Sequence, residues 1–257
     1  ELSIFKEITS ATSDRREYSD KSLDYYQDFY DAFGKKLEDA KVELTADITP
    51  ASIIENYIEA IGGMSKLKSV TTMYSEMKAD MGGRSVTFET YKMAPNKYAS
   101  KMQMNGMVMQ EQKYDGTKGS TSMMGNKKVV SEGKEFEDIK KMAVMFDQLN
   151  YSQAGYKLEL KGVENVEGSN CYKIIVTDPK GEVSTEYYDV KSGLLNRSVQ
   201  ANDKSTMTMD FKNYKSVDDI MMPYTVAISG VMPITLVMEA TNMTVNKELP
   251  AGIFKVE

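Results

Sequence analysis

The chain has 257 residues, of which 41% are apolar, and this is enough to bury a core in one large domain or two modest ones. Its net charge of −6 argues against a nucleic-acid partner, because nucleic-acid-binding proteins carry broad basic surfaces. Histidine is absent, which excludes Ser-His-Asp and Cys-His catalytic groups and removes the commonest zinc ligand. We therefore expect a protein that is not an enzyme, with no catalytic residues, no metal site and no cofactor.

Methionine is the strongest bias in the composition, with 20 residues in the chain. Its unbranched thioether side chain fills irregular gaps in a core, and it also forms adaptable apolar surfaces that accept varied ligands. Both interpretations are open from composition alone.

Residues 1–46 differ in pattern from the rest of the chain. Apolar residues recur there at steps of three and four, at Leu23, Tyr26, Tyr30, Phe33 and Leu37. This spacing predicts a helix over residues 22–37, and a short strand around Tyr30 with a turn at Gly34 is the alternative. The segment lacks a complete core of its own, so we interpret it as the remnant of an upstream domain and place the main domain at residues 47–257.

The stretch after residue 48 predicts an amphipathic helix with defined ends. Its apolar face consists of Ile53, Ile54, Tyr57, Ile58 and Ile61. Thr49 is suited to cap the first turn, and Pro50 is suited to the first helical position, where a missing N–H needs no partner. Gly62 and Gly63 predict the stop.

From Val70 onward the apolar period changes from that of a helix to the two-residue period of strands. Gly82-Gly83 and Asn105-Gly106 predict two-residue hairpin turns, and the first of these turns places Met77 opposite Phe88. A second helix is predicted over residues 135–149. About ten or eleven strands follow this pattern, so we predict an α+β, mainly β, fold with one large antiparallel sheet.

The prolines near the chain end add one expectation about the sheet. Pro223 and Pro233 lie in the last predicted strands, and proline cannot donate to a β-ladder. The sequence therefore predicts that these strands begin at or follow an edge of the sheet.

Four motifs, in this order, carry a resemblance to a known family. They are Lys66–Val70 after the helix, Tyr187–Leu195, Tyr214–Tyr224 and Leu249–Phe254. Together they resemble the LolA/LolB-like domains of outer-membrane lipoprotein sorting, over residues 47–257. The resemblance implies a curved antiparallel half-barrel whose mouth is covered by helices.

The resemblance also implies a function. Domains of this family bind acyl chains, lipids or lipoproteins in the bacterial envelope, so we expect a hydrophobic or acylated ligand, a periplasmic or outer-membrane-associated location, and contact with the outer membrane. No arginine here matches the functional one of the lipoprotein carrier LolA, so shuttling itself is not implied. The alternative is a non-catalytic C-terminal interaction domain of a Bacteroidetes insulinase-like zinc peptidase chain. The oligomeric state stays open.

A methionine patch is the candidate ligand site. With Asn105-Gly106 as a two-residue turn, Met104 should lie opposite Met107, and Met102 opposite Met109. The reverse face carries mainly polar residues, so the methionine face is expected inward. It forms either packed core or the lining of a cavity. Met77 and Phe88 are the expected neighbours on the same surface.

Overall fold

The computed structural model describes residues 48–201 and 205–256. The helix predicted over residues 22–37, like the rest of the N-terminal segment, lies outside these ranges. The predicted boundary at residue 46 stays a prediction.

Three short α-helices and thirteen strands form the described part of the chain. The helices are α1 (Pro50–Ala60), α2 (Met64–Lys68) and α3 (Lys134–Met142), and a 3₁₀ helix spans Asp147–Asn150. The strands are β1 (Thr72–Asp80), β2 (Ser85–Met93), β3 (Lys97–Met104), β4 (Met107–Tyr114), β5 (Gly119–Met123), β6 (Asn126–Val130), β7 (Lys157–Val166), β8 (Ser169–Thr177), β9 (Val183–Asp189), β10 (Leu195–Ala201), β11 (Thr206–Val217), β12 (Ile220–Ser229) and β13 (Leu236–Val245).

All thirteen strands of the described residues belong to one open, curled antiparallel sheet. Their order is β6-β5-β4-β3-β2-β1-β13-β12-β11-β10-β9-β8-β7, so β6 and β7 are the outermost strands. The predicted half-barrel is confirmed in its shape, but the predicted count of ten or eleven strands was too low. Strands β5 and β6 have only five residues each and are mostly polar, so their apolar alternation is weak.

Helix α1 forms where the sequence predicts it. The Thr49 hydroxyl accepts a hydrogen bond from the Ser52 backbone N–H at 3.1 Å, and the Ser52 hydroxyl accepts one from the Thr49 N–H at 3.0 Å. Gly62 ends the helix at a positive φ of 134°, and a Cβ there would lie 2.9 Å from the Asp219 carbonyl oxygen. Glycine therefore lets the helix end pack directly on the β11–β12 turn.

The second predicted helix is shorter than residues 135–149. Helix α3 ends at Met142, and the 3₁₀ helix begins at Asp147. Between them Phe146 has extended φ and ψ values of −135° and 95°. The Val144 carbonyl oxygen accepts a hydrogen bond from Lys92 Nζ at 2.5 Å, so a tertiary contact takes a carbonyl that a continuous helix would use.

The helices pack on one side of the sheet, which we call the inner face. On the β7–β12 half, α1 residues such as Ile53 and Ile58 share a buried cluster with Ile174 and Tyr188. On the other half, Ile139 of α3 and the adjacent Ala143 pack on Tyr98 and Tyr114. Each half of the inner face thus has its own helical cover.

The prediction that the last strands lie at an edge of the sheet is wrong. Strands β12 and β13 lie in the middle of the sheet, between β1 and β11. Pro223 is tolerated because β12 pairs with β13 only from Thr225 to Ile228, so Pro223 lies outside that ladder. Pro233 lies in the loop between the two strands.

A carboxyl group is buried inside the half covered by α1. Glu186 is 5% exposed, and its Oε1 accepts a hydrogen bond from the Tyr151 hydroxyl at 2.7 Å. The Tyr188 hydroxyl donates to Oε2, and the Tyr188 ring meets the Tyr57 ring edge-on at 5.2 Å between centroids. Burial raises the pKa of Glu186 above its ordinary value, and the two tyrosine hydrogen bonds oppose that shift.

We expect Glu186→Gln to flatten the dependence of stability on pH. A carboxyl whose pKa is raised in the folded state binds its proton more tightly there than in the unfolded chain. The free energy of unfolding therefore falls as pH rises from the ordinary carboxyl pKa through the raised one. Thermal unfolding followed by circular dichroism, from about pH 4 to about pH 8, measures this slope. Glu159→Gln on an exposed side chain is the control, and equal slopes for the two variants would contradict the expectation.

We also expect a chain lacking residues 1–46 to unfold cooperatively. The described residues contain a capped helix and four apolar clusters whose members lie between Ile48 and Phe254. Urea denaturation followed by both circular dichroism and tyrosine fluorescence tests this. Coincident single transitions are the expected result, and an insoluble or non-cooperative product would place part of the core within residues 1–46.

Candidate functional site

The inner face carries an apolar trough at the hairpin end of its central strands. Paired residues in an antiparallel sheet share a face, and the register runs Met77–Phe88–Met102 across β1, β2 and β3. The next row toward the β1–β2 turn is Ala79–Val86–Met104. Met102 and Met104 lie on the same face as Tyr98, which packs against α3, so the trough belongs to the inner face.

Strands β12 and β13 continue the trough on the other side of β1. A third apolar cluster joins Ala79 and Met77 to Met238, Val226 and Ile228. No helical residue belongs to this cluster in the described ranges. Met77, Phe88, Met102 and Met104 are only half-buried, so an apolar surface stays open there.

Five of the six predicted site residues lie in this trough or at its rim. Met77 pairs with Phe88, and Phe88 pairs with Met102. Met104 pairs with Met107 across the Asn105-Gly106 turn, and both turn residues have positive φ. Met107 itself is 67% exposed, so it stands at the open rim rather than inside.

The predicted pairing of Met102 with Met109 is wrong. Gln103 pairs with Val108, but Met102 pairs with Gln110, so β4 contains an extra residue at Met109. This β-bulge changes the face of every later residue in β4. Gln110, predicted on the reverse face, therefore shares the inner face with Met102.

Charge placement is the physical reason for the bulge. Without it, Glu111 and Lys113 would face inward and Tyr114 outward. With it, Glu111 pairs with Lys101 on the outer face, and Tyr114 is 3% exposed beneath α3. Without the bulge, Lys113 would occupy the buried position opposite Tyr98 and Glu111 the half-buried position opposite Ser100, and desolvating these charges costs more than distorting one ladder position. Glu111 and Lys113 in the sequence were thus the signal that could have revealed the bulge.

The segment between α3 and the 3₁₀ helix is held by a half-buried lysine. Lys92 extends from β2 on the inner face, and its Nζ donates to the Val144 carbonyl oxygen at 2.5 Å. Burial lowers the pKa of Lys92, and the nearby Asp147 carboxylate opposes that shift. Burial likewise raises the pKa of Asp147. The lysine therefore links β2 to the segment between α3 and the 3₁₀ helix.

Sequence reasoning missed the contribution of the C-terminal strands. Val226 and Ile228 of β12 pair with Phe211 and Met209 of β11, so all four share the inner face. The alternation of Met209 and Phe211 was visible in the sequence. The position of β11 and β12 on the same side of β1 was not visible, because it depends on β13 returning to pair with the first strand.

The remaining chemical groups give no second site. Cys171 is fully buried, and burial raises the pKa of its thiol to about 11, so it is not a reactive nucleophile. In residues 48–201 and 205–256, no cluster of three or more His, Cys, Asp or Glu side chains could hold a metal ion. None of the helices described there has the length and apolar content that crossing a bilayer requires.

Solved structures share this fold. A DUF1329 family protein from Desulfovibrio piger aligns with a TM-score of 0.54 and 15% identity, over 81% of this chain and 98% of that one. A LolA superfamily protein from Nitrosomonas europaea aligns with a TM-score of 0.54 and 11% identity, over 81% of this chain and 98% of that one. The LolA/LolB-like fold predicted from the motifs is confirmed.

Comparison by sequence adds one match. The model of the FemAB family matches residues 1–47, which lie outside the described part of the chain. No curated protein matches the chain.

We expect Met102→Asp to be tolerated and Val86→Asp to unfold the protein, although both residues face inward on adjacent strands. Met102 is half-buried in the open trough, so a carboxylate can reach water there. Val86 is fully buried, and a carboxylate in its place would lack both water and a partner. Urea denaturation should show a loss below about 2 kcal/mol for the first and above about 4 kcal/mol for the second. A loss above about 4 kcal/mol for Met102→Asp would identify the trough as packed core.

Proposed function

We propose that this chain, a LolA/LolB-like domain by its fold, binds the acyl chain of a lipid or lipoprotein in the bacterial cell envelope. The observation that carries the proposal is the open apolar trough around Met77, Phe88, Met102 and Met104. Among the described residues, its apolar cluster contains no residue from a helix, and these side chains are only half-buried. An apolar surface left open on a concave face is typical of a binding site for an apolar ligand.

The residue types in the trough support an acyl ligand. The fully buried members of the cluster beneath α1 are largely isoleucine, valine and leucine, whose shapes favour one tight packing, and its methionines lie among the half-buried residues around them. The trough instead contains methionine at Met77, Met102, Met104 and Met238. Methionine side chains are flexible and polarizable, so they can repack around acyl chains of different length and curvature.

The proposal includes a place and a mode of action. The ligand is bound and released without covalent chemistry, in the periplasm or at the outer membrane, with a lipid or lipoprotein as partner. The family resemblance supports this location. The predicted residues Met107 and Met109 belong to the proposed site as rim residues, because Met107 is exposed beside the turn and Met109 is half-buried next to it.

Binding of a fluorescent fatty-acid probe tests the proposal directly. The wild-type chain should bind the probe, and Met102→Asp should weaken binding at least tenfold because a carboxylate opposes burial of an acyl chain. Met102→Leu keeps the apolar surface and should retain binding. Val108→Asp is the matched control, since Val108 lies on the outer face of the neighbouring strand and is 47% exposed.

Mass spectrometry of lipids extracted from the purified protein gives an independent measurement. Acyl-containing species should be recovered with wild-type protein and with Val108→Asp, and they should be depleted with Met102→Asp. Absence of probe binding and of extracted lipid in the wild type would contradict the proposal and would favour the interaction-domain alternative.

A further inference from the structure

A row of polar side chains crosses the inner face directly beside the apolar trough. Its members come from five adjacent strands and are aligned by the sheet register: Ser75, Thr90, Ser100, Gln112 and Thr121. The β4 bulge is what brings Gln112 into this row. On one side of the row lies the Met77–Phe88–Met102 row, and on the other lie the residues packed beneath α3, such as Tyr98 and Tyr114.

A depression of about 170 Å³ lies where this row meets the trough. Phe88 and Met102 line its apolar side, and Thr90, Ser100 and Gln112 line its polar side. Its volume is several times the ~30 Å³ that one water molecule takes in the liquid, so it can hold a small polar group of a few heavy atoms.

The polar groups of the depression are available to a ligand. Thr90 and Gln112 are half-buried, and their side chains form no hydrogen bond with another residue in the described ranges. A hydroxyl and an amide supply both donors and acceptors. Removed from water by a bound acyl chain, these groups would each lack a partner unless the ligand provides one.

The two charged residues that line the depression are paired with each other. Glu89 and Lys101 also line it, but they alternate with Phe88 and Met102 and form an ion pair on the outer face. In the adjoining row, Lys92 Nζ donates to the Val144 carbonyl oxygen at 2.5 Å. At the far end of the polar row, Lys128 Nζ lies 2.7 Å from Glu135 Oε2. Lys101 is the one cation among the residues that line the depression, and Glu89 already pairs with it, so a carboxylate head buried there would lack a cationic partner, which is costly.

We propose that Thr90, Ser100 and Gln112 form a head-group subsite for an uncharged, hydrogen-bonding group attached to an acyl chain. The chemical class is an acyl ester or amide that bears free hydroxyl groups, and a monoacylglycerol represents it. The acyl chain follows the Phe88–Met102 side, and the hydroxyl groups exchange hydrogen bonds with the polar row. This inference rests on the proposed function, because it assigns a ligand class to the same trough.

The test compares a monoacylglycerol with the free fatty acid of equal chain length, by competition against the fluorescent probe at neutral pH. The wild type should bind the monoacylglycerol at least about tenfold more tightly, in line with roughly two net hydrogen bonds. The variant Thr90→Val with Gln112→Leu keeps side-chain size but removes the polar partners. It should lose this preference while binding the fatty acid as the wild type does.

The matched control is Thr87→Val with Gln103→Leu. These residues have the same types, pair with each other on β2 and β3, and face outward, so the preference should persist. Thermal unfolding of both double variants verifies that they are folded. Equal binding of the two ligands by the wild type, or an unchanged preference in the inner-face variant, would overturn the subsite and leave the proposed function standing. Binding of neither ligand by the wild type would overturn both.

Discussion

The structure depends on a difference in size between one wide sheet and the short helices that cover its inner face. Twelve spacings of about 4.8 Å make a sheet of thirteen strands roughly 58 Å across, measured along its curve. Helices α1 and α3 have 11 and nine residues, so they are only about 16 Å and 14 Å long. They cannot shield the whole inner face, and the central strands at the hairpin end are left with apolar side chains facing an open trough.

The covered and uncovered parts of the inner face differ in chemistry. Beneath α1, aliphatic side chains surround a fully satisfied polar group, in which two tyrosine hydroxyls donate to the Glu186 carboxylate. Such a buried network favours one arrangement, because any displacement leaves a carboxylate without partners. The trough has no comparable network and is lined by half-buried methionine and phenylalanine. The half beneath α1 is therefore constrained by buried hydrogen bonds that the trough lacks among the described residues.

A single inserted residue shapes the uncovered part. The bulge at Met109 turns Glu111 and Lys113 outward and turns Gln112 inward, beside Thr90 and Ser100. A regular hairpin would have placed Glu111 in the row next to the trough, opposite Ser100, and Lys113 one row further, opposite Tyr98. The bulge thus sets both the apolar character of the trough and the uncharged polar row at its end.

The sequence by itself determined the helix cap, the helix stop and the hairpin turn, because each depends on neighbouring residues. The Thr49 cap, the apolar face of α1, the Gly62 stop and the Asn105-Gly106 turn each depend on residues within a few positions, and all four are confirmed. Tertiary structure decided the central place of Pro223 and the end of α3 at Met142, because partners distant in the chain impose them. It also joined β13 to β1, which placed Met238, Val226 and Ile228 beside Met77 and completed the trough. Pairing of strands that lie more than 150 residues apart has no local signature, since it is selected by burial of the whole inner face.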